Sequence, residues 1–320
     1  MNNRNVSQKG GLDFLLFFIL ALLWSGSFIN IKVVVDALPP IFCALMRVLL
    51  SLFFLVLFFT WQRKKIFSAP AKCWHLWVAG FFTQALPFCF LFMGEKYLAP
   101  ALASIINSTV SIWSLILGTL IFRDFSQWTP IKVGGIVLGF IGIILVFAPF
   151  LHGRESSWLG FCSVLIMALS YAVGGLLNQH VIFKNSQIRF ETNLLQQHLA
   201  SIFFLTATSL SLETWPTFSA IFHGKIIFSF LYLGLMATAL AWIIYFYLIR
   251  EWGAVRAASV MYLVPVLAIV WDFLFLHFIP AGSELLGVTA ILTGVTLIQR
   301  TRKPKAIRFE QSTAADALNS

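Results

Sequence analysis

"GAVRAASVMYLVPVLAIVWDFLFL", residues 253–276, decides how this chain is read. The stretch is apolar enough to cross a bilayer, yet it holds Tyr262, Pro265 and Asp272, whose backbone and charge need partners there. A second stretch, "APALASIINSTVSIWSLILGTLIF" (99–122), aligns with it at an offset of 154 residues. Downstream, "GGIVLGFIGIIL" and "LGVTAILTGVTL" align at an offset of 152, which superposes Gly135 on Gly287 and Gly142 on Gly294. The chain reads as a duplication.

Composition sets the environment of that duplication. Of 320 residues, 59% are hydrophobic, 16% aromatic and only 11% charged, with a mean hydropathy of +0.89. Such values lie far outside those of soluble domains. A hydrocarbon core takes roughly 20 helical residues to cross, so the length allows about ten spans with short loops. Apolar runs place them near 12–34, 40–60, 74–94, 99–121, 131–150, 158–181, 193–212, 226–249, 255–278 and 284–299. The first run is too long for a signal-peptide core and has no small-x-small cleavage site, so a retained span is expected. Cys43, Cys73, Cys89 and Cys162 show no disulfide or zinc spacing and read as packing residues.

Charge gives the orientation. Of the 22 Lys and Arg, 17 fall in the amino-terminal segment, the tail and alternate loops, four fall on the opposite side, and Arg47 lies inside span two. The positive-inside rule then places both termini in the cytoplasm. Each half holds five spans, an odd number, so the second half starts on the opposite side and an axis in the membrane plane relates the two. The expected fold is an all-α membrane protein of ten transmembrane helices in two inverted five-helix repeats, 12–150 and 158–299. A cytoplasmic segment (1–11) precedes them, and a basic, disordered cytoplasmic tail (300–320) follows. The formal charge of +10 sits in loops and tail with no interleaved aromatic face, so a lipid surface accounts for it better than nucleic acid does.

Among the twelve acids, all but Asp272 fall in loops, tails or span ends, and Arg47 is the only base equally deep. At 1.5 Å per residue both lie about 10 Å from the outer boundary. A buried ionised carboxylate must pair, meet water or take a proton. The expectation is an outer-side ion pair between Arg47 and Asp272, serving as a gate, as an anchor for a zwitterionic solute, or as a static structural pair. Pro87 and Pro265 should kink spans three and nine and free the carbonyls of Thr83 and Met261. Polar and aromatic residues recur at matched depth: Trp24 with Tyr171, Ser108 with Tyr262, and Gln84 close to the counterpart of Thr238. With Trp242 and Asn107 they are candidates to line a midplane cavity; Asn178 and Gln179 are weaker ones. Gly134, Gly135, Gly139, Gly142, Gly287 and Gly294 form small-residue faces that serve close packing within one chain or a homodimer.

"GLMATALAWIIYFYLIREWGAVRAASVMYLVPVLAIV" (234–270) closely resembles the second-half signature of EamA-type transporters of the drug/metabolite transporter superfamily, and "LALLWSGSFINIKVV" (20–34) resembles their opening span. The likeness covers about 12–300. It implies two inverted five-helix halves, a central cavity lined mainly by spans one, three, four, six, eight and nine, and export of small metabolites or amino acids. Pro265 matches the family's fourth-span proline, whereas Ser111 stands at its first-half counterpart. The acid that often precedes that proline is replaced by Val110 and Val264.

The function expected is a secondary transporter of small organic metabolites in the cytoplasmic (inner) membrane, working by alternating access, with an amino acid or related metabolite as substrate and no cofactor. The alternative is a multi-span membrane enzyme acting on a lipid or lipid-linked substrate. An enzyme would need clustered catalytic groups near one interface, and the sequence holds no His-Glu-x-x-His helix, phosphate-binding loop or nucleophile elbow. No metal site is expected.

Overall fold

The computed structural model describes residues 3–64, 74–123, 125, 128–151, 158–184, 189–252, 257, 259–277 and 279–299. These residues are helical, with no strand among them. The expected tail, and the loop positions Lys65, Lys72, Arg154 and Arg256, lie outside the described residues.

Helix α1 (Asn3–Val35) starts ahead of the expected boundary at residue 12, and α2 (Pro40–Trp61) follows after a short turn. The third apolar run is not one regular helix. It comprises α3 (Trp74–Gly80), a π-helical turn over Phe81–Ala85, and α4 (Leu86–Glu95). The fourth run breaks at Thr109 into α5 (Pro100–Ser108) and α6 (Val110–Phe122). Then come α7 (Pro130–Leu151), α8 (Trp158–Lys184), α9 (Phe190–Leu212) and the short α10 (Phe218–Ile221). The eighth run again contains a π segment, Tyr232–Leu240, between α11 (Gly224–Leu231) and α12 (Ala241–Trp252). Last are α13 (Val260–Leu276) and α14 (Gly282–Gln299). Among the described residues, six segments are long and apolar enough to cross a membrane, and three shorter apolar helices accompany them. Helix α9 is long but is not among these; Asn193, Gln196, Gln197 and His198 dilute its hydropathy.

Proline starts α2, α5 and α7, where its missing N–H removes no helical bond and its fixed φ suits the first turn. Large apolar side chains such as Phe53, Leu57, Phe203 and Phe228 point outward, as a lipid solvent allows.

The glycine faces are consumed within the chain. A Cβ on Gly142 would lie 2.7 Å from the Gly287 carbonyl oxygen, and one on Gly135 would lie 2.6 Å from that of Gly294. Helices α7 and α14 thus cross with backbone against backbone, at the positions the duplication superposes, and the pairing needs no second copy of the chain. Replacing Gly142 or Gly287 with leucine should destabilise the protein by about 1–3 kcal/mol through overpacking, while Gly134→Leu, with nothing within 4 Å, should be neutral. Thermal unfolding in detergent checks this; equal stability of Gly142→Leu and Gly134→Leu would contradict the packing.

Candidate functional site

Arg47 projects from α2 into the interior and is 5% exposed. Its Nε donates to Thr238 Oγ1 at 2.8 Å, and its guanidinium carbon lies 4.3 Å from the Phe88 ring centroid. The Thr238 hydroxyl in turn donates to the Leu233 carbonyl at 2.7 Å, five residues back, where the π turn opens the helix. Gly234 permits this grip: a Cβ there would lie 2.5 Å from Leu50 Cβ, so α2 and the π segment touch through backbone.

One turn along α2, Ser51 Oγ lies 3.0 Å from His198 Nε2. His198 Nδ1 faces the Leu194 carbonyl at 2.8 Å, which can only accept, so Nδ1 carries the hydrogen and Nε2 accepts from Ser51. Gln84 lies 3.3 Å from the same Nδ1. Beside it, Thr83 Oγ1 is 2.6 Å from Gln197 Oε1, and Gln197 Nε2 donates to Asn178 Oδ1 at 2.9 Å and Asn193 Oδ1 at 2.7 Å. A polar chain therefore runs through the interior across α2, the first π turn, α8 and α9. Its members on α9 had no signal in the apolar periodicity; they stand out only as the residues that make this helix too polar for a lipid-facing one.

The aromatic candidates separate into groups. Trp24 packs edge-on to Trp242 at 6.3 Å, with Tyr245 5.2 Å from Trp24. Tyr171 stands 6.4 Å from Phe88, the ring beneath Arg47. Tyr262 turns elsewhere and donates to the Val295 carbonyl at 3.2 Å, and Ser108 bonds back to Ile105 within its own helix. Asn107 is half-buried. The structure thus brings together Arg47, Thr238 and, through Phe88, Tyr171; Gln84 joins them through His198 and Ser51.

Both prolines sit as expected in helical runs. Pro87 follows the π turn, whose widening relieves the clash with the carbonyl four residues back. The neighbouring carbonyls of Gly80 and Phe82 accept from Ser201 and Ser170, each at 3.1 Å. Pro265 lies inside α13, in the second turn of its described part, Val260–Leu276.

The expected ion pair is absent. Among the described residues the salt bridges are Lys32–Asp36 (2.9 Å) and Lys64–Glu191 (3.2 Å). Asp272 instead accepts from the Ala101 N–H at 2.7 Å. Helix α5 opens with Ala99 and Pro100, which supply no capping side chain, so Asp272 caps it from another helix. Helix α2 has the same need after Pro39 and Pro40, and Glu213, just beyond α9, accepts from Ile41 and Phe42 at 2.8 Å each. Equal depth was a poor guide to pairing because a helix N-terminus competes for the same carboxylate. Asp272 is not the only buried acid: Glu95, read as a span end, and Glu284 also have no solvent exposure. Glu213→Ala, which strands two N–H groups, should lower stability by about 1–3 kcal/mol, and Glu213→Gln by less. Chemical or thermal denaturation that leaves Glu213→Ala at wild-type stability would remove this capping role.

Comparison with known proteins agrees with this architecture. The chain is 28% identical to a "probable amino-acid metabolite efflux pump" of Salmonella typhimurium, over 91% of this chain and 94% of that protein. A protein of the same description from Escherichia coli is 26% identical over the same shares. An "uncharacterized transporter" of Archaeoglobus fulgidus is 26% identical over 88% of this chain and 96% of its own length. A solved crystal structure, 17% identical, superposes with a TM-score of 0.59 over 90% of this chain and 96% of the other, so the fold is shared. The model of the EamA-like transporter family matches residues 12–148 and 158–300, and the chain belongs to that family.

Proposed function

We propose that this protein is a secondary transporter of the cytoplasmic membrane that exports amino acids or related metabolites by alternating access, with ten spans in two inverted halves and both termini in the cytoplasm. The observation that carries the reading is Arg47. A guanidinium buried at depth costs several kcal/mol without an anion, and no carboxylate lies within 4 Å of it among the described residues. A solute carboxylate completes the site: Nε is held by Thr238 and the cation face rests on Phe88, which leaves the terminal N–H groups for a bidentate contact. Trp24, Trp242 and Tyr245 offer an apolar enclosure for the rest of a solute.

Two relatives, each described as a probable amino-acid metabolite efflux pump, support the same class of cargo. The gathering of turns supports the two-ended topology. Residues 36–41, 95–96 and 213 meet at one end through Lys32 and Glu213, whereas Lys64 with Glu191, and Asp13 with Tyr247 and Trp252, join other parts of the chain. Family membership favours a carrier over a lipid-modifying enzyme.

The test is counterflow of an amino-acid panel in proteoliposomes. Arg47→Gln should slow zwitterion exchange about 10- to 100-fold, since hydrogen bonds to charged groups are worth about 1.5–3 kcal/mol, and Arg47→Lys should retain part of it. Amines that lack the carboxylate should lose far less. Wild-type exchange by correctly folded Arg47→Gln would overturn the reading.

A further inference from the structure

Glu95 ends α4 with no solvent exposure, and neither carboxyl oxygen has a hydrogen-bond partner. Four charged groups lie within electrostatic reach: Lys32 and Asp36 on and beside α1, Arg47 on α2, and Asp272 on α13. Each is engaged elsewhere. The Lys32 ammonium is 2.9 Å from Asp36 and donates to the backbone carbonyls of Glu95 and Lys96, at 3.1 and 3.3 Å, rather than to the Glu95 carboxyl. Arg47 is held by Thr238 and Phe88. Asp272 Oδ2 caps α5, and its Oδ1 is also buried without a partner. On α8, which packs closely on α4, Tyr171 sits beside Phe88 and not against Glu95 in any contact the structure gives.

Lys32 is paired with Asp36, and Arg47 makes no contact with the Glu95 carboxyl, so an ionised Glu95 would be a second anion near Asp272, without solvent and without a hydrogen-bond donor to hold it. That is the costliest state open to a carboxyl group, and it is relieved when the group takes a proton. The place matters as much as the charge. Glu95 borders the turn (96–99) that Asp272 fastens from the other half of the chain, at the end of the bundle where Glu213 fastens α2.

We propose that Glu95 is a proton-binding site in the seam that closes this end of the protein, protonated while the seam is shut and ionised when it opens to water. The proton leaves to the medium on that side and returns from it, so Glu95–COOH becomes Glu95–COO⁻ plus a released proton with no redox partner. Acidifying that side holds the seam closed. Because the same side gives and receives the proton, the device gates transport without carrying protons across. The gating part rests on the carrier reading; the protonation part does not.

Two measurements separate them. Infrared titration of the full chain in lipid nanodiscs should show a carboxylic-acid C=O band at neutral pH that is lost in Glu95→Gln, kept in Asp272→Asn, and kept with a shift in Glu95→Asp. No such band in the wild type, or one unchanged in Glu95→Gln, overturns the proposal, and Glu95→Asp decides the matter should the glutamine variant fail to fold. In proteoliposomes, counterflow of the amino-acid panel should fall as the end bearing residues 96–99 is acidified, by no more than about tenfold per pH unit for one proton, and Glu95→Gln should be insensitive to that pH. Equal sensitivity in wild type and Glu95→Gln, or loss of all exchange in Glu95→Gln with binding of the zwitterion abolished, overturns the gate, the latter making Glu95 a solute ligand. Should the wild type move none of the panel, the carrier reading fails while the infrared result still decides the proton.

Discussion

Inside hydrocarbon there is no water for a backbone group that its own helix leaves unbonded, and the interior of this protein is arranged around that constraint. Two helices begin with proline and no capping side chain, and a carboxylate from the other half of the chain serves each: Asp272 for α5, Glu213 for α2. Two π segments open the helical ladder, and Ser170, Ser201 and Thr238 bond the carbonyls of Phe82, Gly80 and Leu233. Every one of these repairs joins separate elements or fixes a turn, so backbone satisfaction and tertiary structure are the same set of contacts.

The constraint leaves charges in distinct states. Asp272 and Glu213 are spent on helix ends, whereas Arg47 and Glu95 are buried with their charged atoms uncommitted to an opposite charge. On the proposed reading Arg47 takes the anion of a solute and Glu95 holds a proton, close to one seam. Both lie where the first half of the chain meets the second, the contact that an alternating-access carrier must make and break. The π segments fit that use: they widen the helical ladder of the third and eighth apolar runs at the level of Gln84 and Thr238 without breaking the helices.

Much of this was legible beforehand. Hydropathy and proline placement located the apolar runs, and the duplication aligned the glycines that meet across α7 and α14. Arg47 and Thr238 were each singled out, yet their bond was not foreseen, because spacing along a helix says nothing of which neighbour it meets. The Arg47–Asp272 pair failed for a stated reason: depth was matched, but the uncapped N-terminus of α5 took the carboxylate. Its signal was present in "YLAPAL", a proline start with no Ser, Thr, Asp or Asn before it, as also in "ALPPIF". Glu95 lies at the end of an apolar run, where a residue looks wet, and the polar residues of α9 fall inside an expected span, 193–212, whose apolar pattern does not show which partners they meet.

On the proposed carrier reading, the Asp272 and Glu213 end of the bundle opens and closes around the Arg47 site. Electron paramagnetic resonance distances between spin labels at Lys96 and Thr214, which border the surface hollow at that end, measure it directly once the native cysteines are replaced. Two distance populations are expected in lipid, in a ratio that changes when a transported amino acid is added. A single distance, the same with and without solute, would contradict it.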